Sequence, residues 1–403
     1  MLHRWLLVFV GVLGAIHMGA HPGLARTYKI GEVVPILNVK AETFKKNHAG
    51  KVVWEDIIQL QTSRMRLHFT DIAAGMNTAH FDVVLRDLDN TEVLRIPGAK
   101  LAAHTDYWTE SIFRGFLIVH VETSDGEVPE GLKFVLSEAV VDHTEVAAED
   151  VTEPNDMEWA AIAFRGMRNG RKVYYDRGQS TAILRFITDG GEQQCSGFMI
   201  SPNELMTNAH CVHNARICRT TKATFGYQQS TSLRPLDGEQ VNCVSMKAVD
   251  RDLDFAVVVL EGTPGATDKW GHLVLSAQRP KAGDALYIIH YPGNVRMKAT
   301  WNDCRLERPD AGGLNPALKS DFGHICDTDG GSSGAPIISQ ATNEVTGLHH
   351  FGFTECDANW STQNRGVYMD LILDRLKRID NGADAGVTED GAAPDESALC
   401  SSR

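Results

Sequence analysis

An all-β architecture, two packed β-barrels closed by one helix and preceded by a β-sandwich-like domain, is what this 403-residue sequence predicts. Three observations carry that expectation. Short β-rich runs recur between residues 66 and 349, those before residue 150 with a two-residue apolar period, and helical periodicity is almost absent before Asp370. A polar stretch rich in Glu, Asp and Thr at 144–158 separates two sets of such runs. At about 150 residues per domain the length accommodates two or three units. The charge balance, 39 Lys+Arg against 52 Asp+Glu, supplies no cationic footprint, so a nucleic-acid partner is excluded.

Taken in order, residues 1–25 read as a signal peptide. A cation at Arg4 precedes an apolar run over 5–20, and small-residue cleavage sites end at Ala20 and Ala25. The run is short for a membrane span, so the mature chain is expected to be secreted, extracellular or periplasmic, with no membrane attachment after signal cleavage. Export makes the eight cysteines legible as disulfide partners, and all of them lie at or beyond Cys195. Residues 26–150, an accessory or pro domain, must therefore fold without covalent help. Their runs Arg66-Leu67-His68-Phe69, Phe81-Asp82-Val83-Val84-Leu85, Phe116-Leu117-Ile118-Val119 and Lys133-Phe134-Val135-Leu136 alternate as antiparallel strands, with one helical turn expected at 55–61. Trp108 reads as a core residue at a strand end. Residues 151–177 form the linker. From 178 to 380 the β-rich runs recur at 182–187, 197–200, 242–249, 255–260, 285–291 and 345–349. Leu371, Ile372, Leu376 and Ile379 then give a closing helix one apolar face. The acidic 381–403 tail reads as disordered.

Three pieces carry chemistry. Thr207-Asn208-Ala209-His210-Cys211 follows an apolar strand, and a disulfide from Cys195 to Cys211 would pin the loop bearing His210. Positioning of that kind is what a general base needs. Asp254 opens the buried run Phe255-Ala256-Val257-Val258, where its carboxylate can accept the second N–H of His210; Asp252 reads as a solvated turn. Gly330-Gly331-Ser332-Ser333-Gly334 permits a tight turn that exposes the Ser333 hydroxyl and aims the amides of Gly331 and Ser333 at a carbonyl oxygen. A serine hydroxyl is a weak nucleophile until a base takes its proton, and that base needs an acid to hold its tautomer.

These motifs, in the order His, Asp, Ser, resemble those of the chymotrypsin-like (trypsin-fold) serine peptidases, and within them the bacterial glutamyl-endopeptidase-like branch. The likeness covers about residues 178–380. It implies two six-stranded barrels and acyl transfer on peptide bonds, with His210 as base, Asp254 as orienting acid and Ser333 as nucleophile, and with protein or peptide substrates and no cofactor or metal. Gly331-Ser332-Ser333-Gly334-Ala335-Pro336 departs from the Gly-Asp-Ser-Gly-Gly-Pro of animal digestive members. The carboxylate that would pair with a freed N-terminus in zymogen activation is therefore missing, while removal of the N-terminal region remains a route to access.

By the same resemblance Thr328, five residues before the nucleophile, and His349 in Gly347-Leu348-His349 match the residues that contact an acidic substrate side chain. Asp327 sits about where trypsin-type members select Lys or Arg and would repel Glu. The expectation is a preference for Glu before the scissile bond, with Lys/Arg-specific or broad cleavage as the alternative. The rivals from other classes are a non-catalytic binding protein on the same scaffold and a metal-dependent hydrolase. Adjacent strand positions point to opposite faces, so of His349 and His350 one is expected under the pocket and the other in solvent. Cys218 with Cys243 would close a hairpin, and Cys304 with Cys326 would brace the nucleophile loop, leaving Cys356 with Cys400. Pairing Cys326 with Cys356 stands equally open.

Overall fold

The computed structural model describes residues 27–47, 51–75, 78–142, 160–161, 172–230, 232, 234–315, 317–352 and 364–384. The signal segment, Cys356, Cys400, most of the 151–177 linker and the tail beyond 384 lie outside the described residues.

The N-terminal strands are β1 (Tyr28–Ala41), β2 (Val52–Gln59), β3 (Met65–Ala74), β4 (Phe81–Arg86), β5 (Glu92–Pro97), β6 (Tyr107–Trp108), β7 (Phe116–Thr123) and β8 (Leu132–Asp142). One sheet has the order β2-β7-β4-β5, and β1-β8-β3-β6 face it across a core of Leu67, Phe69, Val83, Leu117, Val119 and Phe134. The helical turn expected at 55–61 is instead part of β2, which pairs antiparallel with β7 from Val52 to Gln59. Ladder bonds to a neighbouring strand override the local pattern there.

After β9 (Ala160–Ala161) and the helix α1 of this half (Lys172–Gly178), the first barrel comprises β10 (Thr181–Thr188), β11 (Gly191–Met199), β12 (Glu204–Thr207), β13 (Lys222–Phe225), β16 (Glu239–Asp250) and β17 (Phe255–Leu260). The order β10-β13-β16-β17-β12-β11 closes because β10 also pairs with β11. A short ladder, β14 (Gln228–Gln229) with β15 (Pro235–Leu236), stands beside it. The second barrel is built from β18 (Leu286–His290), β19 (Lys298–Thr300), β20 (Leu306–Arg308), β21 (Asp321–His324), β22 (Pro336–Ser339), β23 (Val345–Phe351) and β24 (Asn364–Tyr368). Its order is β20-β21-β24-β23-β22-β18-β19-β9, and a bridge from Ala285 to Arg305 draws β20 back toward β18, so this barrel is less completely closed than the first.

Strands buried on both faces explain the continuous apolar runs. In β18, Tyr287 and Ile289 enter the core shared between the barrels, while Leu286 and Ile288 fill the second barrel's own interior. The closing helix, α2 (Met369–Asp380), docks Met369 and Ile372 on the shared core, and Lys377 and Arg378 in its last turn suit the negative end of its dipole. Among the described residues no helix is long and apolar enough to cross a membrane.

Sandwich and first barrel share one sheet, since Tyr28, Lys29 and Gly31 of β1 pair with Gln194, Gln193 and Glu192 of β11. Beneath that seam Glu192 is fully buried between two guanidinium groups, 2.7 Å from Arg66 Nη1 and 2.7 Å from Arg64 Nη1. Arg66 also donates to the carbonyls of Thr109 and Thr220 at 3.0 and 2.8 Å, which ties three segments together. Removing one partner of a buried ion cluster strands the others in low dielectric. Glu192→Ala is therefore expected to destabilise the fold by about 3–5 kcal/mol, read as a lowered urea midpoint. An unchanged midpoint would show that the cluster contributes nothing.

Candidate active site

β12 delivers Asn208-Ala209-His210-Cys211 to the turn that precedes β17. Asp254 receives four hydrogen bonds from this loop. Its carbonyl accepts from Asn208 Nδ2 at 2.9 Å and Ala209 N at 3.2 Å, Oδ1 accepts from His210 N at 2.9 Å, and Oδ2 lies 2.7 Å from His210 Nδ1. Asp254 is fully buried and His210 is nearly so, whereas Asp252 is exposed. Burial pushes the Asp254 carboxyl up, but His210 and His350 together outweigh it and hold it at about 2. The carboxylate therefore stays ionised, and its contact with Nδ1 fixes the orientation of the His210 ring.

Cys195 is bonded to Cys211, and both sulfurs lie within 4.8 Å of a His210 ring nitrogen. With both sulfurs spent in a disulfide, this cluster offers no thiolate to a metal. Cys218 pairs with Cys243, and Cys304 with Cys326, which removes the Cys326–Cys356 alternative. The Cys304–Cys326 bond anchors the start of the serine loop.

In that loop Gly331 and Gly334 have φ of +92° and +85°, and a Cβ on Gly334 would sit 2.2 Å from the Ser196 carbonyl oxygen, so only glycine fits. The Gly330 carbonyl accepts from Gly293 N at 2.7 Å. Because the peptide is planar and trans, the N–H of Gly331 points the opposite way. Ser196 N donates to the Ser333 carbonyl at 2.8 Å, which fastens the loop to β11. The Ser333 hydroxyl donates to the carbonyl of His350 at 3.4 Å, and the ring of the same His350 lies 3.4 Å from Asp254 Oδ2. Residue 350 thus links the serine loop to the His210–Asp254 couple.

Ser332 stands where an aspartate would favour a charged partner. Its Oγ lies 2.8 Å from Nδ1 of buried His290 and accepts from Asp329 N at 3.1 Å, while His290 Nε2 lies 3.2 Å from Thr300 Oγ1, which donates to the Asp327 carbonyl at 3.0 Å. A neutral network braces the loop instead of a salt bridge. Asp327, Thr328 and His349 are all buried nearby, and His349 Nδ1 lies 3.3 Å from His324 Nε2.

The sequence-based expectation for the histidine pair needs correction. Neither His349 nor His350 faces solvent, with 3% and 1% exposure, because β23 is covered on both faces. The sequence gives His290 no role, and it does not single out Thr300 or Asp321. Each lies far along the chain from its partner, and the one local signal was a histidine ending an apolar strand.

The two-barrel fold and these motifs set the second half of the chain beside the trypsin-like peptidases. Residues 195–348 match the model of the trypsin-like peptidase domain. The chain is 27% identical over 187 residues to secreted RxLR effector protein 73 of Plasmopara viticola, covering 43% of this chain and 45% of that protein. It is 26% identical over 148 residues to serine protease Rv3671c of Mycobacterium tuberculosis, covering 36% of this chain and 32% of that protein. Among solved structures, a Glu endopeptidase is similar with 22% identity and a TM-score of 0.39, over 56% of this chain and 96% of that one. The matches span less than half the length of these two curated relatives.

Burial holds three imidazoles neutral. It pushes His290 and His324 down to about 3, aided by Lys298 and His350 respectively, and His349 well below its ordinary range. An unfolded histidine binds its proton near pH 6.5, so between about pH 6.5 and 3 the unfolded chain holds protons that the folded one excludes. Stability therefore falls as pH falls through that window. The thermal midpoint is expected to drop on acidification from about pH 7 to 4.5, and to drop less in His290→Asn. A midpoint constant across the window would contradict this assignment.

Proposed function

We propose that this protein is a secreted serine endopeptidase that hydrolyses peptide bonds through an acyl-enzyme on Ser333. The observation that carries the reading is the buried His210–Asp254 couple at 2.7 Å, in the same matched domain as a glycine-flanked serine. His210 accepts the Ser333 proton as Oγ attacks the scissile carbonyl carbon, and Asp254 stabilises the resulting imidazolium. The amides of Gly331 and Ser333 bind the oxyanion, an arrangement supported by the Gly330 carbonyl, which is held by Gly293 N and so leaves the Gly331 N–H on the other side of the peptide. His210 then protonates the leaving amine, and water repeats the sequence on the acyl-enzyme.

Export is supported by three disulfides and by a relative whose name describes it as secreted. For specificity we favour an acidic residue before the scissile bond. Thr328 and His349 supply hydrogen-bonding groups, and an arriving carboxylate would favour protonation of His349, which burial otherwise keeps neutral. Asp327 is the group that would instead favour Lys or Arg.

Ser333→Ala and His210→Ala are each expected to lower kcat/KM on a fluorogenic peptide by on the order of 10,000-fold or more, with a chelator leaving the wild type unaffected. Undiminished turnover by Ser333→Ala would remove the nucleophile. Mass spectrometry of fragments from a denatured protein mixture is expected to report Glu before the cut bond. Predominant Lys or Arg there would hand the pocket to Asp327.

A further inference from the structure

β23 carries a second imidazole against the same carboxylate that orients His210. His350 is 1% exposed, and its two ring nitrogens face two different acids. Nε2 lies 2.9 Å from Oδ2 of Asp321 on β21, and Nδ1 lies 3.4 Å from Oδ2 of Asp254, an ion-pair contact rather than an aligned hydrogen bond. Both carboxylates are fully buried. Asp321 is held in turn by Ser320, whose hydroxyl donates to Oδ1 at 2.7 Å. The acyl-transfer steps above use neither the His350 ring nor Asp321.

Charge arithmetic decides the state of this ring. A neutral imidazole has one N–H and can satisfy one carboxylate only, leaving the other facing a lone pair in low dielectric. A cationic ring turns an N–H toward each. Burial opposes the cation, but Asp321 and Asp254 outweigh it and raise His350 to about 9. Among the described residues the other ionisable groups around it are His324 on β21, His349 on β23 and His210 across Asp254, and burial holds the first two neutral. The ring of Phe351 packs 4.0 Å away and adds no charge.

The geometry points to His350 as a positioning residue: an imidazolium clamped between Asp254 and Asp321 that fixes the orienting carboxylate and weakens the grip of His210 on its proton. The sign follows from Coulomb's law. A cation beside Asp254 offsets part of the negative charge felt by His210, so His210 releases its proton at lower pH and remains a competent base in mildly acidic surroundings. Asp321 supplies the counter-charge that makes a second buried cation tolerable.

This inference rests on the serine-peptidase reading for its consequence, but its test does not depend on turnover. Histidine-ring NMR on the Ser333→Ala protein is expected to show His350 with both nitrogens protonated at neutral pH, and to show His210 titrating at a pH higher by about one unit or more once His350→Gln is added. Because His350→Gln leaves Asp321 buried and unpaired, the double variant His350→Gln with Asp321→Asn is measured alongside. It removes cation and anion together and is expected to retain the upward shift. A His350 ring neutral at pH 7 overturns the proposal, and so does a His210 titration that stays put in the folded double variant. In the otherwise wild-type enzyme the acid limb of the pH–rate profile should move upward with little change in KM. If the NMR shifts occur and no peptide is ever cut, the charge assignment stands and the proposed reaction falls.

Discussion

A buried carboxylate in a strained backbone is the constraint from which the site follows. Asp254 has φ of +46°, in the left-handed region that a non-glycine residue enters at a cost of about 1–3 kcal/mol. The four hydrogen bonds from Asn208, Ala209 and His210 offset that cost and fix the loop they come from. Orientation of the His210 ring is therefore built into two turns and a disulfide, rather than left to side-chain torsions. A base that needs no reorganisation when the proton moves is worth more than one that must find its geometry.

Around Asp254 the same side chain type takes opposite charge states. His290 lies between two hydroxyls and His324 and His349 lie against each other, so no carboxylate offsets their burial and the rings stay neutral. His350, one residue from His349, meets two carboxylates, and they reverse the outcome. The β23–β24 ladder shifts register between His349 and Phe351, at His350 itself, and the two imidazoles meet different partners, His324 for one and the two carboxylates for the other. Ser332 belongs to the same pattern. Partnered by a neutral imidazole, it holds the serine loop without the ion pair that an aspartate at that position would require.

Much of the fold was legible because alternating runs in the first half and continuous apolar runs in the second both mark strands, and those between 66 and 349 coincide with strands. The helix after Asp370 was legible for the same reason at a different period. Periodicity names no neighbour, however. That β1 would pair with β11, or that Glu192 would lie between Arg64 and Arg66, depends on register between segments more than a hundred residues apart. In the candidate site, residues whose motif is contiguous in the chain, such as Gly330-Gly331-Ser332-Ser333-Gly334, announced themselves. Those defined by a distant partner, such as His350 with Asp321 or Ser332 with His290, did not.

The seam between sandwich and barrel bears on what residues 26–150 do. β1 continues the barrel's own sheet along Gln194, Gln193 and Glu192. Tyr28 also packs on Gly330, close enough that a Cβ there would lie 2.7 Å from its ring, and Gly330 adjoins the amide assigned to the oxyanion. Removing β1 would expose the edge of β11 and take away the ring packed on that loop. Excising the sandwich would further leave Glu192 without the two guanidinium groups that neutralise it. The sandwich is thus part of the structure that shapes the loop, and a chain without β1 would have to replace the contacts it makes.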